Sequence, residues 1–156
     1  MYENLLPFST TSFQLVHTEE TETAYSFYIQ SIAHSATCPN CHAVSSHRHS
    51  CTNRTIQDLP MNEKKVYYFL QLQKWFCQQS TCSVRIFTER IPQANAYQRR
   101  TTRCTTVLRN IAFATNCVEA AKLSESLHIP VSHDTLLRII YETEQPQETS
   151  PFPCPR

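Results

Sequence analysis

The sequence predicts an α+β chain: a β-rich N-terminal part followed by a small unit of three helices. Three observations carry this. Apolar residues alternate at period two in several runs before residue 90, the period changes to that of helices after Tyr97, and two close cysteine pairs flank the longest alternating run. A chain of 156 residues with 40 % hydrophobic content fits one ordinary domain or two small ones, and is too short for a large enzyme core.

Taken in order, Ser12–Val16 and Thr23–Ile32 read as two strands, with Tyr25, Phe27 and Ile29 sharing one face. The acidic EETET run between them is the expected hairpin connection, and residues 1–35 form an N-terminal hairpin segment. Residues 34–53 are rich in His, Ser, Cys, Thr and Asn, the composition of a metal-organised loop. Two further strands are expected at Arg54–Leu59 and Lys65–Trp75, joined by Pro60 to Lys64. Both faces of the second are apolar at its start, which makes it central in a sheet. A short strand at Val84–Phe87 ends before Ile91-Pro92, and Pro92 to Ala96 is the candidate linker.

Beyond it, Cys104, Val107, Leu108, Ile111 and Ala112 fall at i, i+3, i+4, i+7 and i+8, one face of a helix. Asn116 followed by Glu119 resembles a capping box that starts a second helix, running to about Leu127. Ser132 caps a third, with Leu136, Ile139 and Ile140 on its buried side. The expected organisation is thus 36–92 as a cysteine-organised β unit, 97–142 as the helical unit, and 143–156 as a polar, Pro-rich, disordered tail.

Charge divides unevenly along the chain although the net charge is only +1. Residues 1–35 carry −4, residues 36–104 carry ten bases against three acids, and residues 105–156 carry −2. A basic central block is either a solvated surface or the footprint of a phosphate backbone. The N-terminus MYENLLPFST has no basic, apolar leader pattern and no run approaches a membrane span, so the expected location is the cytoplasm. Glycine is absent altogether, which leaves turns to Asn, Asp, His and Pro.

Eight cysteines in a chain of the reducing cytoplasm argue for metal rather than disulfides. Cys38-Pro39-Asn40-Cys41 and Cys77 to Cys82 each close a tight turn that aims two thiolates at one spot. Four thiolates at about 2.3 Å satisfy a tetrahedral structural Zn²⁺, and the intervening strands bring the pairs together in a zinc-ribbon-like unit. The alternative is four idle buried thiols. His42, His47 and His49 are either substitute ligands or a weakly basic loop facing nucleic acid. A closed four-sulfur site has no position for water, so the ion is expected to stabilise rather than catalyse, and its loss to unfold the first half. Cys51, Cys104, Cys117 and Cys154 fall outside the set.

The last two helices have the lengths and connection of a helix-turn-helix. Ala120, Ala121, Leu123 and Leu127 are expected to face the next helix, with Val131 and Leu136 anchoring it. The candidate DNA contacts are Ser132, His133, Thr135 and Arg138 at the start of the last helix. Arg99, Arg100 and Arg103 are expected on phosphates, with Arg48 from the HRHS run. The competing reading is a plain three-helix bundle.

In order, CPNC, HRHS, RTIQDLP, KWFC, CSVRIFTERIP, YQRRTTR and VSHDTLLR resemble the N-terminal part of bacterial insertion-sequence transposases of the ISL-three group, over roughly residues 36–141. The resemblance implies a zinc finger with its ion on Cys38, Cys41, Cys77 and Cys82, then a helix-turn-helix, the whole binding double-stranded DNA at the terminal inverted repeats of a transposon. Full-length transposase is a further implied partner, and nucleoid association follows. Two departures stand out: His42 replaces the glycine usual after the second cysteine, and the region of Asn116-Cys117 lacks the usual glycines. In that family a DDE nuclease domain follows, where separated carboxylates hold two Mg²⁺. Asp134, Glu142, Glu144 and Glu148 do not make such a site, so this chain is expected to be no enzyme but a DNA binder, truncated before the nuclease. The competing functions are a zinc ribbon that docks proteins through Val66–Trp75, or a non-functional remnant.

Overall fold

The computed structural model describes residue 8 and residues 11–143. It is an α+β fold in chain order: strands β1 (Phe13–Glu20), β2 (Ala24–Ser31), β3 (Ala36–Thr37), β4 (Val44–Ser45), β5 (Arg48–Met61), β6 (Lys64–Phe76) and β7 (Ile86–Thr88), then helices α1 (Thr102–Ala114), α2 (Cys117–Ser126) and α3 (His133–Tyr141). The expected disordered tail falls, apart from Thr143, outside the described residues.

The main sheet runs β1-β2-β6-β5, and β7 continues along β6 past the end of β2. As its two-sided apolar pattern requires, β6 is central. It pairs parallel to β2 from Lys65 to Gln71 and antiparallel to β5 over nearly its whole length. One face buries Tyr25, Phe27 and Ile29 against Val66, Tyr68, Leu70 and Leu72, closed by Phe8, Ile56, Ile91 and Ala94. On the other, Tyr28 and Phe69 stack at 4.9 Å and stay half-buried. The strand Val66–Trp75 thus spends one set of its apolar side chains on the core, while Tyr67 and Phe69 on its other face stay half-buried.

Two strands run longer than their apolar patterns suggest. β1 continues through Glu19 and Glu20, which bind across the sheet: Glu19 accepts from the Tyr28 hydroxyl at 3.3 Å and Glu20 pairs with Lys64 at 2.6 Å. β5 begins at Arg48, so RHSCTN is strand where a loop is expected. Its residues are mostly exposed, so burial imposes no alternation on them; pairing with Gln71 to Trp75 holds them extended.

The β5–β6 turn is two residues long, and both Asn62 and Glu63 sit in the left-handed region at φ 49° and 61°. Such turns match the twist of the flanking strands and favour Asn-Gly. In a chain without glycine, Glu63 bears the Cβ penalty of about 1–2 kcal/mol. Glu63→Gly is expected to stabilise the protein by about 0.5–1 kcal/mol after glycine's greater chain entropy is set against it. Urea unfolding of the zinc-loaded protein checks this, and an unchanged or lower midpoint sinks it.

The candidate linker is folded onto the sheet. Arg54 on β5 donates to the carbonyls of Asn95 and Gln98, at 2.5 and 2.6 Å, while Ile91 and Ala94 enter the core. Residues 99–101 then lie along the outer edge of β5, with the Gln57 amide donating to the Arg99 carbonyl and the Thr101 amide to the Gln57 carbonyl, both at 2.9 Å.

All three helices start on side-chain caps. Thr101 accepts from the Cys104 amide, Asn116 from the amides of Val118 and Glu119, and Ser132 from that of Thr135. Just past the α2 cap Leu127, His128 takes φ 60° at the usual place for glycine, and the amide of Ile129 turns back to the Ser124 carbonyl at 2.8 Å. Cys104, Leu108, Ala112, Ala120, Ile129, Leu136 and Ile139 make the core. One expectation is corrected here. Leu123 and Leu127 are exposed, because the face α2 turns inward is Ala120 and Ser124, small enough for close approach, and Ile129 from the turn fills the space instead.

Candidate functional site

The first cysteine pair sits in the tight turn between β3 and β4. The His42 amide donates to the Cys38 carbonyl at 3.0 Å, the Cys38 amide to the Ala43 carbonyl at 2.9 Å, and His42 takes φ 59°. That is the conformation glycine adopts without cost, so the residue after the second cysteine does in a strained state what glycine does freely. The second pair follows β6 directly. There the Cys82 amide donates to the Gln79 carbonyl at 3.1 Å and the Cys77 amide to the Arg85 carbonyl at 2.8 Å, which returns the chain into β7.

Because β5 and β6 form one long hairpin, the two turns meet at its open end. The four Sγ atoms lie within 4.8 Å of one another, with Cys38 and Cys82 at 4.0 Å and Cys41 and Cys77 at 3.5 Å. Sulfurs of a tetrahedral zinc site with Zn–S of about 2.3 Å stand about 3.8 Å apart, so the cluster fits the ion. Among the described residues no histidine belongs to the group.

The electrostatics suit a cation. Amides of Cys41 and Asn40 point at the Cys38 sulfur and lower its pKa against the effect of burial. The Asn40 side chain, at 3.3 Å, and the Val84 amide hold Cys82 at about 7. Cys77 has the Gln79 amide in its favour, yet burial and its three sulfur neighbours push it up to about 12. Four thiols crowded together compete for negative charge, and a divalent ion removes the competition.

Beneath the sulfurs, Trp75 and Phe87 pack with Cys38, Cys77 and Cys82 in a small separate core. The Arg48 guanidinium lies 5.6 Å from the Trp75 ring centroid and donates to the Ala33 carbonyl at 2.7 Å. The two cysteine turns and this small core make a metal knuckle at the open end of the β5–β6 hairpin, whose other end belongs to the main sheet.

Residues 34–82 match the family model for the zinc-finger of transposase IS204/IS1001/IS1096/IS1165. Neither a curated protein nor a solved structure matches the chain. The matched segment holds all four cysteines, so donor set, geometry and family agree on one structural Zn²⁺ in a transposase-type zinc finger. Every coordination position is filled by sulfur, which leaves the ion a structural task. Among the described residues no helix is long and apolar enough to cross a membrane.

The remaining sequence-derived candidates are scattered over two surfaces. Ser132, His133 and Arg138 are exposed on α3 and Thr135 is half-buried behind them. His133 is 3.1 Å from Asp134, and Arg138 is 3.8 Å from Glu142. Arg99 is exposed beside the β5 edge. Arg100 and Arg103 point back into the protein: Arg100 donates to the Pro130 carbonyl at 3.0 Å, and Arg103 forms a two-pronged ion pair with Asp58, its Nε at 2.8 Å.

Asp58 was not singled out from the sequence. Its side chain is fully buried and accepts from Tyr68 at 2.8 Å and Thr101 at 2.6 Å besides Arg103. Burial raises its pKa, but those three donors outweigh it and hold the carboxyl below its ordinary range. The signal available was weak: one acid in RTIQDLP, near the end of a mostly polar strand.

Proposed function

We propose that this chain is the zinc-dependent DNA-binding module of an ISL-three-group transposase, recognising double-stranded DNA at the terminal inverted repeats of a transposon. The observation that carries the reading is the four-sulfur knuckle inside the segment similar to a transposase zinc finger. Supporting it, α2, its sharp turn and α3 have the build of a helix-turn-helix, with a polar, exposed N-terminal half on the second helix. In this arrangement Ser132, His133, Thr135 and Arg138 face base edges while Arg48 and Arg99 approach phosphates. The module is organised as one sheet shared by the β1–β2 hairpin and the zinc-finger segment 36–92, followed by the helical unit 97–142, and works in the cytoplasm at the nucleoid, with full-length transposase as a partner at the same ends.

The test is selection of duplexes from a randomised pool by the zinc-loaded protein, followed by gel-shift titration of the selected duplex and a random one at several salt concentrations. Preference for the selected duplex and a log K against log salt slope of about 0.9 per phosphate contacted are expected. Arg138→Ala should reduce the preference more than the slope. Equal, weak binding of every duplex would remove the reading.

The activity proposed is binding without strand cleavage. The carboxylates of the helical unit that the structure describes are exposed and spread over two helices, with Glu119, Asp134 and Glu142 each beside a basic side chain. Supercoiled plasmid incubated with the protein and Mg²⁺ should remain supercoiled; nicking that co-purifies with the chain would contradict this.

A further inference from the structure

Two arginines whose place in a basic run suggests phosphate contacts are tied to the protein at the joint between its halves. Residues 99–101 are laid along β5 by both backbone bonds of Gln57. From that edge the Arg100 side chain crosses to the Pro130 carbonyl, in the turn that leads into α3, and its Nε is shut away from solvent. Three residues on, Arg103 in the first turn of α1 grips the carboxylate of Asp58 on β5 with both of its prongs. The Thr101 hydroxyl, which caps α1, donates to the same carboxylate. One clamp thus holds the start of α1 and another holds the α2–α3 turn, both anchored on neighbouring residues of one strand.

The geometry points to Arg100 and Arg103 as positioning residues: with Asp58 they lock the helical unit onto the β5 edge, so that α3 and the zinc finger meet a ligand as one rigid body of fixed relative orientation. A two-pronged arginine–carboxylate pair fixes direction as well as distance, which a lysine at the same place does not. The carboxylate is out of water, so the pair cannot exchange Asp58 for a phosphate without stranding a buried charge. The consequence for DNA rests on the function proposed above. A rigid pair of contact surfaces discriminates between sites, because a misaligned half loses its contacts on the correct sequence.

The test has two arms, both on the zinc-loaded full chain. In the first, residual dipolar couplings are measured on ¹⁵N-labelled protein. Amides of the sheet and of α1 to α3 should fit one alignment tensor in the native protein, whereas the Asp58→Asn, Arg100→Ala double variant should need a second, weaker tensor for the helices. A variant that still fits one tensor overturns the inference. Should the double variant lose its fold, Arg103→Lys alone serves the same comparison.

The second arm uses the duplex selected by the native protein. Asp58→Asn removes no group able to reach DNA. It should lower the preference for that duplex over random DNA about tenfold, the equivalent of one mismatched base pair, with the salt slope unchanged. Arg103→Lys, which keeps the charge, should behave like Asp58→Asn. If Arg103→Lys binds like the native protein while Arg103→Ala drops the slope by about 0.9, Arg103 is a phosphate contact and the inference fails. If the native protein selects no duplex, the DNA reading falls, and the couplings still decide whether the clamp exists.

Discussion

Cys77→Ser is expected to abolish stoichiometric zinc binding and, with it, the ordered structure of the two cysteine turns and the Trp75–Phe87 core beneath them. Cys77 is the only ligand carried directly on from β6, two residues beyond the buried Trp75, and its sulfur is 3.5 Å from that of Cys41. Structural zinc in small finger domains contributes roughly 10–16 kcal/mol of apparent binding free energy near neutral pH, more than a domain of this size has in net stability. The small core of Trp75 and Phe87 is too slight to stand without it. Zinc per chain by atomic absorption and the dispersion of amide resonances check the outcome. Cys51→Ser is the control, since Cys51 is exposed on β5 and lies outside the cluster. A Cys77→Ser protein that keeps one zinc and its fold would mean that the four-sulfur assignment is wrong.

Asp58→Ala is expected to cost about 2–4 kcal/mol, because it leaves two buried hydroxyls, those of Tyr68 and Thr101, without their acceptor. Arg103 adds little, since its side chain is 53 % exposed and can return to water. Tyr68 cannot. Its hydroxyl is buried against the carboxylate, which together with burial raises its pKa. Thr101 loses the bond that orients its hydroxyl at the head of α1. Urea unfolding with excess zinc measures the loss, and a change under 1 kcal/mol would show that the network is dispensable. The pH dependence has a definite sign. The folded carboxyl titrates below its unfolded value of about 4, so its contribution is complete above that value and disappears as pH falls towards the folded one. Asp58→Asn is the reference: the native protein's advantage over it should hold from pH 7 to pH 5 and shrink below about pH 4, with zinc release in acid common to both.

Much of this was legible in the sequence for local reasons. Two cysteine pairs with a hairpin between them state the metal site almost outright, since each pair needs only a tight turn and the hairpin needs only alternation. The caps Asn116 and Ser132 carry their signal within three residues, whereas Thr101, the cap of α1, emerges only from the structure. What remained hidden was non-local. The parallel pairing of β2 with β6 joins strands separated by the whole first knuckle and β5, and no local pattern announces it. Asp58 draws donors from β6, from residue 101 and from α1, so its partners are visible only after folding. The arginines at 100 and 103 looked like a basic stripe because sequence shows charge without direction. The first residues of β5 failed for the opposite reason: exposed nearly throughout, they carry no apolar alternation to read.

The two-residue turn at Asn62-Glu63 has a consequence for the order in which the molecule assembles. It makes β5 and β6 neighbours by sequence, so their ladder can zip from the turn outward on the microsecond scale of hairpins. Only when zipping reaches Arg48 and Trp75 do the cysteine turns come alongside each other. Capture of the ion is then the closing of a pre-aligned clasp rather than a search by the ends of a long flexible loop, whose entropy the hairpin has already removed. Chelation should run the film backwards: amide protection is lost first at the clasp and last beside the turn, so that the residues farthest from the metal are the final ones to let go.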